Sequence, residues 1–165
     1  MELYFLRHGP AAPKSMGIGD SERPLTKPGE RIIERDAAAL RLLKIRFDRI
    51  LSSPYLRAYQ SAEIVAKSLG LKRRLETYDG LKAGATLEKI RHDLEKSGPD
   101  ERILLVGHEP DFGLIIAELL HLGPGHALPL GKGDLCRVDW DPSEPGELVL
   151  FLSAEVLGQI AKQAG

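Results

Sequence analysis

Three times along this chain a short aliphatic run stops at a charged or turn-forming cluster, and that recurrence constrains the fold more than any other feature. Leu3-Tyr4-Phe5-Leu6 ends in Arg7-His8-Gly9. Ile50-Leu51 ends in Ser52-Ser53-Pro54, with Arg57 close behind. Ile103-Leu104-Leu105-Val106 ends in Gly107-His108-Glu109-Pro110. Such short apolar runs bounded by turn residues read as buried strands. Helix-start signals follow the second and third runs: Ser53 reads as an N-cap with Pro54 at the first helical position, and Pro110 comes soon after His108.

In open α/β sheets, ligands bind outside the carboxyl ends of the strands, and parallel strands bring those ends together. Arg7, His8, Arg57 and His108 should therefore converge, with Arg57 in the first turn of its helix. Neutral imidazole can attack phosphorus, and arginine forks hold oxyanions. Helix N-termini there supply further N–H donors. Glycine at position 9 would let backbone approach a ligand closely. Singly, a histidine after a strand is more often a packed bystander, and surface salt bridging is the commoner fate of an arginine. The convergence of all four points to phosphate.

The bounds of the chain fit. Its 165 residues are expected to form one domain, 1–165, large enough for a proper core. A net charge of −1 offers no basic field for nucleic acid. The basic run Lys72-Arg73-Arg74 reads as a solvated strand edge. Cys136 is the one cysteine, which excludes an internal disulfide and reads as a small core residue in a reducing compartment. No apolar run is long enough to span a bilayer, and a strand begins directly after Met1, so no membrane is expected and cytoplasm is the default location.

Strand and helix signals alternate. Thr26 reads as the cap of a helix with Pro28 and Glu30 in its first turn, and Ile33, Ala37, Leu40 and Leu43 or Lys44 fall at helical spacing. The helix from Pro54 carries Ala58, Ala62, Val65, Ala66 and Leu69 on one side and stops near Gly70. Another begins around Thr86, with Leu87, Ile90 and Leu94 inward. The segment after Pro110, including Leu114 and Leu120, is apolar almost all round, which predicts deep burial. Cys136, Val138 and Trp140 alternate with Arg137 and Asp139, and the turn at 141–146 returns the chain as a second strand over 147–153. So short a connection requires an antiparallel pair. Residues 154–163 are expected to add a terminal helix. The expected fold class is α/β: a three-layer domain with a mixed, largely parallel sheet and helices on both faces.

Several spaced motifs occur in order over nearly the whole chain: Leu6-Arg7-His8-Gly9, Arg23-Pro24-Leu25-Thr26 with Gly29, Ser52-Ser53-Pro54 with Arg57-Ala58 and Gln60-Ser61-Ala62, and Val106-Gly107-His108-Glu109-Pro110. Together they resemble the histidine phosphatase superfamily and, within it, the small bacterial phosphohistidine phosphatases of the SixA type. The resemblance implies that His8 is transiently phosphorylated and that Arg7, Arg57 and His108 line the phosphate pocket. His8 must then be neutral and held in one tautomer, its other nitrogen donating to a nearby acceptor. Arg7, Arg57 and His108, protonated or as an N–H donor, would meet the charge on the phosphoryl oxygens. No metal or other cofactor is needed, because protein side chains supply the positive charge.

Many relatives in this superfamily place a glutamate or aspartate after the third strand to protonate a departing alkoxide. The corresponding stretch here is Tyr78-Asp79-Gly80-Leu81-Lys82-Ala83-Gly84, with Ala83 where the acid is sought and Asp79 a poorer substitute. Imidazole leaves a phosphoramidate more readily than an alkoxide leaves an ester and needs less help from a general acid. A phosphohistidine-bearing protein is therefore the expected substrate, and no long insertion roofs the site against one. A small-molecule phosphomonoesterase and a non-catalytic phospho-ligand binding module are the alternatives. His92 and His121, in predicted helices, and His126, in a Gly/Pro loop, match no metal-site spacing. Lys14 and Ser15 are candidates for substrate contact, and Gly131-Lys132-Gly133 is too short to read as a phosphate-cradling loop.

Overall fold

The computed structural model describes residues 1–163. Six strands form one sheet in the order β3-β2-β4-β1-β5-β6. They are β1 (Glu2–Arg7), β2 (Arg49–Ser52), β3 (Leu75–Thr77), β4 (Arg102–Gly107), β5 (Leu135–Asp139) and β6 (Glu147–Leu152). The first four run parallel, while β5 is antiparallel to both β1 and β6. Four α-helices connect strands, α1 (Lys27–Leu42), α2 (Leu56–Ser68), α3 (Leu87–Glu95) and α4 (Asp111–Leu119), and α5 (Ala154–Lys162) follows β6. The fold is the mixed, largely parallel three-layer α/β sandwich that the sequence predicts.

Alternation along β1 divides the core. Leu3 and Phe5 face α3 and α4, where Phe5 meets Phe112 edge-on at 5.3 Å. Tyr4 and Leu6 face α1, α2 and α5, where Tyr4 meets Phe47 at 5.1 Å. All four are at most 3 % exposed, as a central strand covered on both faces requires. Burying one such side chain contributes about 1.5–3 kcal/mol. Among the described residues no helix is long and apolar enough to cross a membrane.

Local chemistry explains most helix limits. Thr26 caps α1 by accepting from the Gly29 N–H at 3.1 Å, and Thr86 and Ser153 cap α3 and α5 in the same way. Gly70, at φ +71°, follows α2 and ends it.

Several expectations need correction. Ser53 is not an N-cap: α2 begins at Leu56 without a side-chain cap, two residues later than predicted. Lys72-Arg73-Arg74 forms a short 3-10 turn before β3 rather than a strand edge. Leu43 is exposed and Lys44 has φ +56°, so the α1 stripe ends at Leu40. Leu114 is 49 % exposed, because α4 still needs one solvent-facing line despite its composition. His121 lies beyond α4 at φ +53°, in a turn rather than a helix.

Gly9 meets a packing demand. A Cβ there would lie 2.9 Å from Ile33 Cγ1 and 3.0 Å from the Gly29 carbonyl, and one on Gly29 would lie 2.1 Å from the Pro10 carbonyl. These paired glycines let the start of α1 press against the backbone just after His8.

Candidate active site

Strand register assembles the site. Arg7 pairs with Gly107 across β1 and β4, and Ser52 pairs with Val106 across β2 and β4. The next residue of each strand is therefore His8, His108 or Ser53, side by side at the carboxyl edge. The His8 N–H donates to the Gly107 carbonyl and the Ser53 N–H to the Val106 carbonyl, extending the ladder by one rung. The His8 and His108 rings lie 5.2 Å apart, and Arg57 arrives from the first turn of α2. All four predicted residues line one open cleft of about 280 Å³.

His8 is held in one tautomer. Its Nδ1 lies 2.7 Å from the Gly9 carbonyl, which can only accept, so the ring proton sits on Nδ1 and Nε2 carries the lone pair. Arg57 Nε donates to that Nε2 at 3.1 Å. Burial, joined by the charges of His108, Arg57 and Arg7, pushes the His8 pKa down to about 3, although the Gly9 contact works the other way. His8 is thus neutral at physiological pH.

His108 Nε2 lies 2.8 Å from Ser53 Oγ, and Tyr55 donates its backbone N–H to the same oxygen. A hydroxyl oxygen has two lone pairs, so Ser53 can pair with either neutral tautomer of His108. His108 Nδ1 is buried and has no partner within the protein. Burial and the Arg57 charge push His108 down to about 4, against a smaller opposing effect of Asp20. Of the two forms considered from sequence, the neutral N–H donor is the one this environment favours. Tyr55 packs on the His108 ring at 5.0 Å and under the Arg57 guanidinium at 5.2 Å.

Arg7 is anchored from the far side. Its Nη1 donates to the Leu130 carbonyl at 2.7 Å, and its backbone pairs with Gly133 and Asp134. The segment that sequence reading set aside, Gly131-Lys132-Gly133, thus stands at the cleft, with Lys132 lining it. Glu109 ties this segment to β4, its Oε1 accepting from the Gly113 and Leu130 N–H groups. Its carboxyl also lines the cleft, and burial raises its pKa in spite of those two bonds.

Sequence reasoning missed Asp20, Glu109, Ser53 and Tyr55 as site residues, and gave Arg23 no role. Asp20 comes from a short 3-10 turn, Asp20–Glu22, in the loop after His8, where no periodic signal exists to place it. Lys14, Ala83 and Arg23 line the cleft as well. Asp79 is not among the lining residues; it pairs with Lys82 at 2.7 Å on the surface. Among the described residues no cluster of three or more histidine, cysteine, aspartate or glutamate side chains could hold a metal ion.

Comparison with known proteins agrees with the fold and the motifs. The family described as histidine phosphatase superfamily (branch 1) matches residues 3–83. A protein of Picosynechococcus sp. is 39 % identical over 137 residues, 82 % of each chain. The phosphohistidine phosphatase SixA of Escherichia coli K12 is 31 % identical over 132 residues, 79 % of each chain. A solved structure of the protein histidine phosphatase SixA complexed with tungstate superposes with a TM-score of 0.81 at 29 % identity, covering 95 % of this chain and 99 % of that one. With the strand-end motifs, the fold and a relative above 30 % identity over most of both chains in agreement, this chain belongs to the histidine phosphatase superfamily and is of its SixA type.

Proposed function

We propose that this phosphatase removes the phosphoryl group from phosphohistidine in a protein, through a phosphohistidine intermediate on its own His8. The observation that carries the reading is the locked, neutral His8, whose unprotonated Nε2 meets Arg57 Nε in the cleft that Arg7, Arg57 and His108 line. A SixA structure of the same fold is complexed with tungstate, a tetrahedral oxyanion like phosphate, which supports an oxyanion-binding role for this fold.

In the first step His8 Nε2 attacks phosphorus and the bond from phosphorus to the substrate imidazole breaks. The substrate ring, already protonated on its other nitrogen, leaves as neutral imidazole carrying the bond's electron pair. His8 becomes a phosphoimidazolium whose Nδ1–H the Gly9 carbonyl still holds. Water then forms a bond to phosphorus, the electron pair returns to Nε2, and dihydrogen phosphate departs. Neither step requires a protein group to protonate the leaving nitrogen, which fits Ala83 on the cleft wall where relatives place an acid. Arg7, Arg57 and His108 stabilise the equatorial oxygens, being already oriented when charge develops.

One observation favours a second reading, hydrolysis of small phosphomonoesters. Glu109 presents a carboxyl of raised pKa in the same cleft, and such a group could protonate an alkoxide. A substrate panel separates the two. Phosphohistidine protein and aryl phosphates should turn over far better than serine phosphate, and Glu109→Gln should leave phosphohistidine turnover within about three-fold. Comparable specificity constants for alkyl phosphates and phosphohistidine, with the alkyl activity lost in Glu109→Gln, would establish the phosphomonoesterase instead. The intermediate is sought under alkaline quench, because phosphoramidates are acid-labile; normal turnover by His8→Ala would remove His8 from the mechanism.

A further inference from the structure

The most heavily charged contact in the cleft is internal. Asp20 Oδ1 accepts from Arg23 Nε at 3.0 Å and Nη2 at 2.7 Å, with Lys14 Nζ 3.9 Å away. Asp20 Oδ2 accepts from Arg57 Nη2 at 3.1 Å, and the Asp20 carbonyl accepts from Arg57 Nη1 at 2.5 Å. A carboxylate thus sits among three cationic side chains, two of them arginine forks, in the manner of a bound oxyanion. The same Arg57 places its Nε on His8 Nε2. In this state the lone pair that would attack phosphorus is occupied, and so are the outer donors of the arginine that would receive the phosphoryl oxygens.

The two partners differ in freedom. The Arg57 side chain is 5 % exposed and pinned by Tyr55 and His8, whereas the Asp20 side chain is 41 % exposed on a surface turn. An aspartate there can swing into water while the arginine stays. We propose that Asp20 is an internal competitor for the phosphoryl seat: its carboxylate holds Arg57 and Arg23 until an oxyanion displaces it, so Asp20 sets the affinity for phosphoryl groups. The proposal rests on the cleft being that seat. Five cationic side chains line the cleft against the carboxylates of Asp20 and Glu109, a charge excess that would retain the orthophosphate product. Returning Asp20 to the arginines as product leaves offsets that retention, and substrate binding is weakened by the same factor.

The sign of the effect separates this role from a structural one. If Asp20 merely positions Arg57, removing it weakens anion binding; if it competes, removing it strengthens binding. Asp20→Asn and Asp20→Ala are titrated calorimetrically with inorganic phosphate at neutral pH and fixed ionic strength. Thermal melts confirm that both variants fold, as substitution of a half-exposed loop side chain should allow. The expected result is a phosphate Kd about ten-fold lower in both variants, the shift that follows from raising the binding-competent fraction ten-fold. The KM for an aryl phosphate should fall, and orthophosphate should inhibit more strongly. Unchanged or weaker phosphate binding in the folded variants overturns the proposal. The titration involves no turnover, so tighter binding in a protein that ignores phosphohistidine would sink only the assigned substrate. A wild type and variants that all fail to bind phosphate would refute the seat and this competitor with it.

Discussion

Three buried titratable groups set how the stability of this protein should depend on pH. Burial holds His8 and His108 neutral, with pKa values near about 3 and about 4 against an ordinary 6.5. Burial also holds Asp36, inside α1 with neither carboxyl oxygen partnered, protonated up to about 8 against an ordinary 3.8, with Asp134 adding to the rise and Arg35 opposing it. A histidine held neutral binds fewer protons folded than unfolded, so stability falls as pH drops below 6.5. An aspartate held protonated binds more protons folded than unfolded, so its stabilisation is lost as pH rises from 3.8 to 8. Each group changes stability by about 1.4 kcal/mol per pH unit inside its window. From pH 6.5 down to 4.5 the two histidines remove about 5 kcal/mol and Asp36 restores about 3, for a net loss of about 2–3 kcal/mol. From pH 6.5 up to 8 Asp36 alone removes about 2 kcal/mol. Stability should therefore peak near pH 6.5. Urea unfolding across pH 4.5–8 reads each limb as a midpoint shift of about 1 M or more. Asp36→Asn should abolish the alkaline decline, and His8→Gln should flatten the acid limb by removing one of its two histidines. An alkaline limb that survives in Asp36→Asn, or an acid slope identical in wild type and His8→Gln, would refute the assignment of these groups.

Two further outcomes test the site directly. Arg57→Ala and His108→Ala should each lower kcat by about 10²-fold or more while leaving the protein folded, the loss expected when one preorganised oxyanion donor is removed; near-normal rates in either would break the shared-seat mechanism. Ser53→Ala leaves His108 Nε2 buried without its 2.8 Å partner, a penalty of about 1–3 kcal/mol. Steady-state kinetics should show kcat reduced by roughly ten-fold with KM little changed, and equal losses in stability and none in kcat would make Ser53 purely structural.

The strand-end motifs were legible because they depend on order along the chain. Apolar runs such as Leu3–Leu6 and Ile103–Val106 must be buried, and a buried parallel strand must end where its first polar residues stand. Parallel topology alone then brings Arg7, His8, Arg57 and His108 to one edge, and the structure has them lining one cleft. The helix cap at Thr26 and the helix start around Thr86 were legible for the same reason, since a cap acts within three residues of itself. Ser53 shows the limit of such local rules. Its hydroxyl is an N-cap by sequence, yet β2 carries it to His108, 55 residues away, and that contact replaces the cap.

What tertiary structure alone decided lies in loops and long-range partners. The packing demand at Gly9 shows only once Ile33 and Gly29 are folded against it. Asp20, Lys132 and Glu109 enter the cleft through irregular segments, where no hydrophobic period ties a residue to a face. Protonation states follow from burial and from neighbours far apart in sequence, as with His8 beside Arg57 and His108. The chemistry available to this chain is written in which residues end its strands. The form in which each group waits, neutral or charged, free or clamped, belongs to the packed molecule, because desolvation and pairing exist only after distant segments meet.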